Sequence, residues 1–273
     1  VESLSIIVGC RNDCYEGDNI GRFIQSLEFN KKVLDGIRVD YEYLVGEWNP
    51  FNTCLSDFDR TKHLFEDKRF KDIIIDESVV EAEGLPPKIF IEYHMKNGLA
   101  RKATKDNLLF INSDILLSND LMFTISVLLK KGLEDRFYRT RYRVNINSDG
   151  SVIERSDLYD LNLPDGHLCA GFSGDFLLLK KSLFELAKGY DEINPGHRIG
   201  RQTFMDGELL YQLDKLGIKL ELLSDQYFHL SHGKTMGYQS AGYNTNGYEN
   251  KEDWGFVKYP TKKLGKALVI YNT

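Results

Sequence analysis

Leu108-Leu109-Phe110-Ile111-Asn112-Ser113-Asp114 reads as a buried strand that stops at a polar tip. Four apolar residues in a row, then Asn, Ser and Asp, suit a short strand covered on both faces. Upstream, Leu4-Ser5-Ile6-Ile7-Val8 is a similar run, and Ile20, Phe23, Ile24 and Leu27 then fall at helical spacing in a segment reaching Val33. Tyr41 to Val45 and Ile73-Ile74-Ile75 give two more strands. Phe90 to Tyr93 is a further strand candidate, leading to Lys96-Asn97-Gly98 and a helical stretch through Ala103. Downstream of the quoted stretch, Asn119 is expected to cap a helix from Asp120 to Lys131.

Strands alternating with helices predict an α/β fold with a mainly parallel sheet flanked by helices. In such sheets ligands bind beyond the carboxyl ends of the strands. Arg11-Asn12-Asp13, Glu47-Trp48-Asn49 and Asn112-Ser113-Asp114 each follow a strand, so all three are expected along one edge. The second half is more mixed. Arg139 to Ile146 alternates like an antiparallel strand, and Asn147 to Ser151 reads as a hairpin turn before Val152-Ile153. Phe176 to Leu179, Ile218 to Leu223 and Gln226 to Leu230 are further strands, and a helix from Asp206 ends at Gly217. The chain is expected to be a single domain over 1–273: a nucleotide-binding half at 1–132, an acceptor and catalytic half at 133–232, and a C-terminal lid or tail at 233–273.

The 273 residues are 42% hydrophobic and 28% charged, enough for one large core. A formal net charge of -6 argues against a nucleic-acid partner. No stretch approaches the length of a membrane span, and a cytoplasmic location is expected. The four cysteines, Cys10, Cys14, Cys54 and Cys169, make no pair of pairs suited to zinc and are expected to be reduced.

A carboxylate at the tip of a buried strand suits a hard cation, Mn²⁺ or Mg²⁺, with diphosphate oxygens as further ligands, or else merely closes a turn. Asp114 holds that place. In an extended segment the odd spacing of His229 and His232 sends their rings to opposite faces, so one at most would ligate. His232, at the strand end, is the favoured one. Asp206-Gly207-Glu208 opens a helix, where Asp206 either caps the helix or serves as a base in a cleft. Arg11, Lys96, Arg101 and Arg141 are the candidates for gripping phosphate. Gly174-Asp175 follows a run of small residues suited to close ligand approach; Asp175 either bonds an acceptor hydroxyl or closes a turn.

Taken together, these segments resemble the GT-A glycosyltransferase superfamily from Leu4 to about Gly233. Gly9-Cys10-Arg11-Asn12-Asp13, Glu47-Trp48-Asn49-Pro50, Lys96-Asn97-Gly98 with Arg101, and Asn112-Ser113-Asp114 look like one of its less-studied branches, with Cys10 interrupting the first motif. The resemblance implies a UDP- or GDP-sugar donor and a glycan or other hydroxyl acceptor. It implies a nucleoside site formed by the Cys10 to Asp13 loop and Glu47, with Asn49, Lys96, Asn97, Arg101, Asn112 and Ser113 on the donor side. Asn112-Ser113-Asp114 corresponds to the family's Asp-x-Asp, leaving Asp114 as metal ligand with His232. Asp206 matches the catalytic base of inverting members, with Glu208 beside it and Met205 in place of their Glu. Two other readings stay open: an inactive carbohydrate-binding or scaffolding module on this fold, and a sugar nucleotidyltransferase. The latter needs a glycine-rich basic loop after the first strand, and here that loop offers only Gly9 and Gly17.

Overall fold

A computed structural model describes residues 3–10, 18–48, 50, 54–86, 90–158, 175–193, 205–232 and 248–273. In chain order the first half comprises β1 (Ser3–Cys10), α1 (Asn19–Asp35), β2 (Asp40–Trp48), β3 (Phe70–Ile75), α2 (Glu77–Ala82), α3 (Glu92–Lys102), β4 (Asn107–Ile111), β5 (Ile115–Leu117) and α4 (Asn119–Lys131). The second comprises β6 (Arg136–Ile146), β7 (Val152–Asp157), β8 (Phe176–Lys180), α5 (Lys181–Leu186), α6 (Met205–Lys215), β9 (Lys219–Leu230), β10 (Thr261–Leu264) and β11 (Ala267–Ile270).

All the strands join one sheet in the order β10-β11-β3-β2-β1-β4-β8-β6-β9-β5, with β7 paired to β6 alone. The β11-β3-β2-β1-β4 block is parallel throughout, and β8 then runs antiparallel to β4. Successive side chains of a strand face opposite ways. In β1, Ile6 and Val8 accordingly pack with Phe23 and Leu27 of α1 and Leu121 and Ile125 of α4. Ile7 faces the other layer, where Val79 of α2, Met95 and Leu99 of α3, Phe184 of α5 and Leu209 of α6 lie. Each fully buried Leu or Phe in these two layers contributes about 1.5–3 kcal/mol by leaving water. The absence of side chains at Gly9 and Gly46 brings α3 close to the sheet: a Cβ at Gly46 would stand 2.6 Å from the Met95 sulfur.

Four local expectations change. Phe90 to Tyr93 is no strand, because Ile91, Met95 and Leu99 at spacings of four present one apolar stripe and α3 begins at Glu92. Ser118, not Asn119, caps α4, its hydroxyl accepting from the Leu121 amide at 3.1 Å. The two strands expected between Ile218 and Leu230 are one, β9, which carries an extra residue where its register to β6 steps from Leu223 opposite Thr140 to Gln226 opposite Tyr142. Part of the expected C-terminal lid or tail packs into the core: Tyr248, Trp254, Phe256 and Tyr259 are buried, and β11 extends the parallel block beside β3. Residues 233–247 lie outside the described residues. Among the described residues no helix is long and apolar enough to cross a membrane.

Candidate active site

The sharp tip read at the end of the Leu108 strand is where β4 gives way to β5. The Ile115 amide donates to the Asn112 carbonyl at 3.3 Å, which turns the chain at Ser113-Asp114. The Leu230 amide donates to the Asp114 carbonyl at 3.0 Å, and Ile115 lies opposite His229. Asp114 is thus fixed by backbone bonds between the ends of β4 and β9.

Both histidines meet it there. Nε2 of His229 lies 3.4 Å from Asp114 Oδ2, and Nε2 of His232 lies 3.2 Å from the same oxygen. The two rings are 5.1 Å apart between centroids, and one ligand atom from each of the three residues fits within 4.8 Å of the others. The expectation that only one histidine would face the site is corrected. Alternation applies to His229 inside β9, but β9 ends at Leu230, and the chain beyond it brings His232 round to the same side. Burial raises the Asp114 carboxyl pKa. Hydrogen bonds and charge from the two imidazoles outweigh this and hold the group well below the usual carboxylate range. Asp114 Oδ1 and His229 Nδ1 are buried with no hydrogen-bond partner among the described residues. Two imidazoles and a carboxylate fit a divalent transition ion, with coordination positions left for ligand oxygens.

Beside this cluster runs a chain of charged and polar groups. Lys96 Nζ lies 2.6 Å from Glu92 and donates to Asn112 Oδ1 at 2.9 Å. The Asn112 amide then donates to Asp175 Oδ1 at 3.0 Å, and Asp175 Oδ2 accepts from Arg143 at 2.7 Å and from the Tyr227 hydroxyl at 2.9 Å. The amide of Asn112 therefore has its orientation set from both ends. Asp175, expected on the acceptor, has both oxygens committed to protein groups and serves as a buried anchor. Arg143 and Asp175 are each 8% exposed as side chains, so breaking the pair leaves an uncompensated buried charge. Arg143→Met is expected to cost about 3–5 kcal/mol and to lower the Tm by roughly 10 °C in a thermal melt.

Other expected donor contacts are absorbed by the fold. Glu47 is fully buried and accepts from the Leu55 amide at 2.6 Å, out of reach of a nucleobase or ribose. Asn97, also fully buried, donates to the Tyr190 carbonyl at 2.9 Å and to Glu192 at 2.8 Å, and accepts from the Tyr190 amide at 2.8 Å. Arg101 lies over the Trp254 ring at 4.7 Å, and Arg141 is paired with Asp157 at 2.8 Å. Cys10 is buried at the end of β1. Arg11, Asn12, Asp13, Asn49 and Gly174 lie outside the described residues.

Asp206 and Glu208 stand in the first turn of α6. Glu208 is buried, whereas Asp206 is half-buried. Burial, and after it the charge of Asp206, pushes the Tyr93 and Tyr190 phenols well above their ordinary value; Glu92 adds to both. The charges of Asp206 and Glu92 thus reach one pair of tilted tyrosines, 4.8 Å between ring centroids, which puts the catalytic candidate near the residue that pairs with Lys96. His229 is the candidate metal ligand that sequence reasoning set aside in favour of His232.

Neither protein-family models nor curated protein sequences match the chain. Solved structures do. GalNAc-T7 with UDP, GalNAc and Mn²⁺ aligns at a TM-score of 0.58 and 12% identity, over 85% of this chain and 44% of that one. The mannosyltransferase PcManGT from Pyrobaculum calidifontis, in complex with GDP-Man and Mn²⁺, aligns at 0.51 and 13% identity, over 86% and 58%. S. aureus TarS 1-349 aligns at 0.50 and 13% identity, over 84% and 60%. The chain has the GT-A fold, and it spans roughly half the length of these neighbours.

Proposed function

We propose that this chain transfers a glycosyl unit from a UDP- or GDP-sugar to a glycan or other hydroxyl acceptor, with a divalent metal held by Asp114, His229 and His232. The observation that carries the reading is the convergence of those three side chains at the carboxyl end of β4, next to the chain's parallel block. The GDP-Man and Mn²⁺ of one similar structure, and the UDP, GalNAc and Mn²⁺ of another, support it.

An ion bound there supplies positive charge at the diphosphate leaving group, where negative charge builds as the sugar–phosphate bond breaks. The protein's part is to place the reactants. Asp114 and the two imidazoles would hold the ion against which the diphosphate is placed. Lys96, held by Glu92 and Asn112, keeps a cation beside that corner. Asp206 accepts the proton of the acceptor hydroxyl as its oxygen attacks the anomeric carbon from the face opposite the leaving group, which inverts that carbon. Asp206 suits the task better than Glu208 because it is the less buried of the two.

The test is a thermal-shift series with UDP, GDP and their sugars, with Mn²⁺, with Mg²⁺ and with neither. A ligand at about 100 times its Kd stabilises the native state by about 2.7 kcal/mol, a rise of roughly 5–10 °C. Stabilisation that requires the metal is expected, and Mn²⁺ should exceed Mg²⁺, since imidazole nitrogens suit the former and Mg²⁺ prefers oxygen. Absence of a shift with every nucleotide would replace this reading with the inactive binding module.

A further inference from the structure

The buried acid that sequence reading placed on the donor has a different partner: a second carboxyl, also buried. The parallel register sets Val45 opposite Asp72 and Glu47 opposite Ile74, so Glu47 and Asp72 point from neighbouring strands to one face, a step apart. Glu47 is 0% exposed and Asp72 1%. Each gives one oxygen to the same turn: Glu47 Oε1 accepts from the Leu55 amide at 2.6 Å, and Asp72 Oδ2 accepts from the Ser56 amide at 3.0 Å. The remaining two oxygens, Glu47 Oε2 and Asp72 Oδ1, are both buried and take no donor from any other described residue. Neither carboxyl forms an ion pair with a Lys or Arg among the described residues.

We propose that Glu47 and Asp72 share a single proton, and that this proton latches the turn at residues 54–57 onto the carboxyl end of β2 and the middle of β3. Two adjacent carboxylates without a cation in a dry interior are too costly to keep, and one bridging proton removes the repulsion while satisfying both orphan oxygens. The surroundings reinforce this. The turn contributes Asp57 and Cys54, whose thiol donates to Asp57 Oδ2 at 3.2 Å. Burial comes first in pushing that thiol up, to about 11, so it stays a neutral donor. Ala267 and Val269 of β11 pack against Cys54 and Ile74 and bring no charge. Gly265, before β11, passes the Asp57 carboxylate. Among the described residues, the titratable groups named beside the pair are thus neutral or acidic. Burial, then the charge of Asp72, drives the Glu47 carboxyl well above its ordinary value; burial likewise raises Asp72, against the hydrogen bonds from Ser56 and Glu47.

The sign of the pH effect follows. Both groups are raised on folding, so the stability from the shared proton is full below the ordinary carboxyl range and is lost as pH climbs through the folded value. Glu47→Gln fixes the protonated arrangement permanently: its Oε1 still accepts from Leu55 and its amide donates to Asp72 Oδ1. The Tm of the wild-type chain should therefore fall relative to Glu47→Gln by about 2–4 °C for each pH unit across that window. Amide exchange at Leu55 and Ser56 should stay slow in the Gln variant and speed up in Glu47→Ala. Asp72→Asn, which donates from the other side, provides the same comparison should the Gln variant not fold. A Tm difference between wild type and either amide variant that is flat with pH, or equal exchange in Glu47→Gln and Glu47→Ala, overturns the proposal. These readouts need no substrate, so they succeed or fail independently of the transferase reading.

Discussion

Asp114→Ala is expected to abolish metal-dependent nucleotide binding while leaving the fold in place. Asp114 is the one carboxylate of the described triad, and both imidazoles approach the same oxygen of it. Without it, two neutral donors must hold a dication with no charge of their own, and affinity for Mn²⁺ should drop by at least about 100-fold, since even outer partners of a metal site are worth 10–100-fold. If bound metal supplies several kcal/mol of charge stabilisation at the leaving group, transfer should fall by about three orders of magnitude, at 1.36 kcal/mol for each tenfold. The fold should survive because the ties at this position are made by the backbone: the Leu230 amide bonds to the Asp114 carbonyl, which alanine retains. Isothermal titration with Mn²⁺, with and without nucleotide, reads the effect directly. A titration identical to wild type would take Asp114 out of the metal site, and with it the observation on which the functional reading stands.

What the sequence disclosed and what it hid divide along physical lines. The β1, β2, β3 and β4 strands were legible because each is a run of apolar residues buried on both faces, a pattern carried by a few neighbouring positions. So was the edge at which function gathers, because strand ends show as abrupt switches from Ile or Val to Asn, Asp or Glu. What stayed hidden depended on contacts between distant segments. Glu47 reads as a functional acid at a strand end, and only the register of β2 on β3 reveals that Asp72 lies beside it. Asn97 was expected on the donor, yet inside α3 its amide satisfies the backbone of Tyr190 some ninety residues away. The β10–β11 hairpin was missed for a simpler reason. Its outer strand, Thr261–Leu264, is exposed and lysine-rich, so the apolar run at Ala267–Ile270 is the only local sign that the chain returns to the sheet. His229 was discarded by a rule that holds within a strand and lapses two residues later.

The proposed proton-accepting role of Asp206 has the sharpest test, because it separates catalysis from binding. Asp206→Asn keeps the size of the side chain and its place in the first turn of α6. It forfeits the favourable charge at that helix terminus, worth about 0.3–1 kcal/mol, so the Tm should fall by only a few degrees. A general base contributes roughly 10²–10⁴ in rate, and kcat should drop by that factor. Mn²⁺ and nucleotide binding should be unchanged, since none of Asp114, His229 and His232 depends on α6. If instead Asp206 only orients the acceptor, the loss will appear in the acceptor KM while kcat is largely kept, and a retaining pathway becomes the better account. The stereochemistry of the product decides between them. An inverted anomeric centre requires a base on the acceptor side, and the half-buried Asp206, whose charge reaches Tyr93 and Tyr190, is the carboxylate proposed for it. Retention, together with an intact kcat in Asp206→Asn, would leave the metal site standing and remove the base from it.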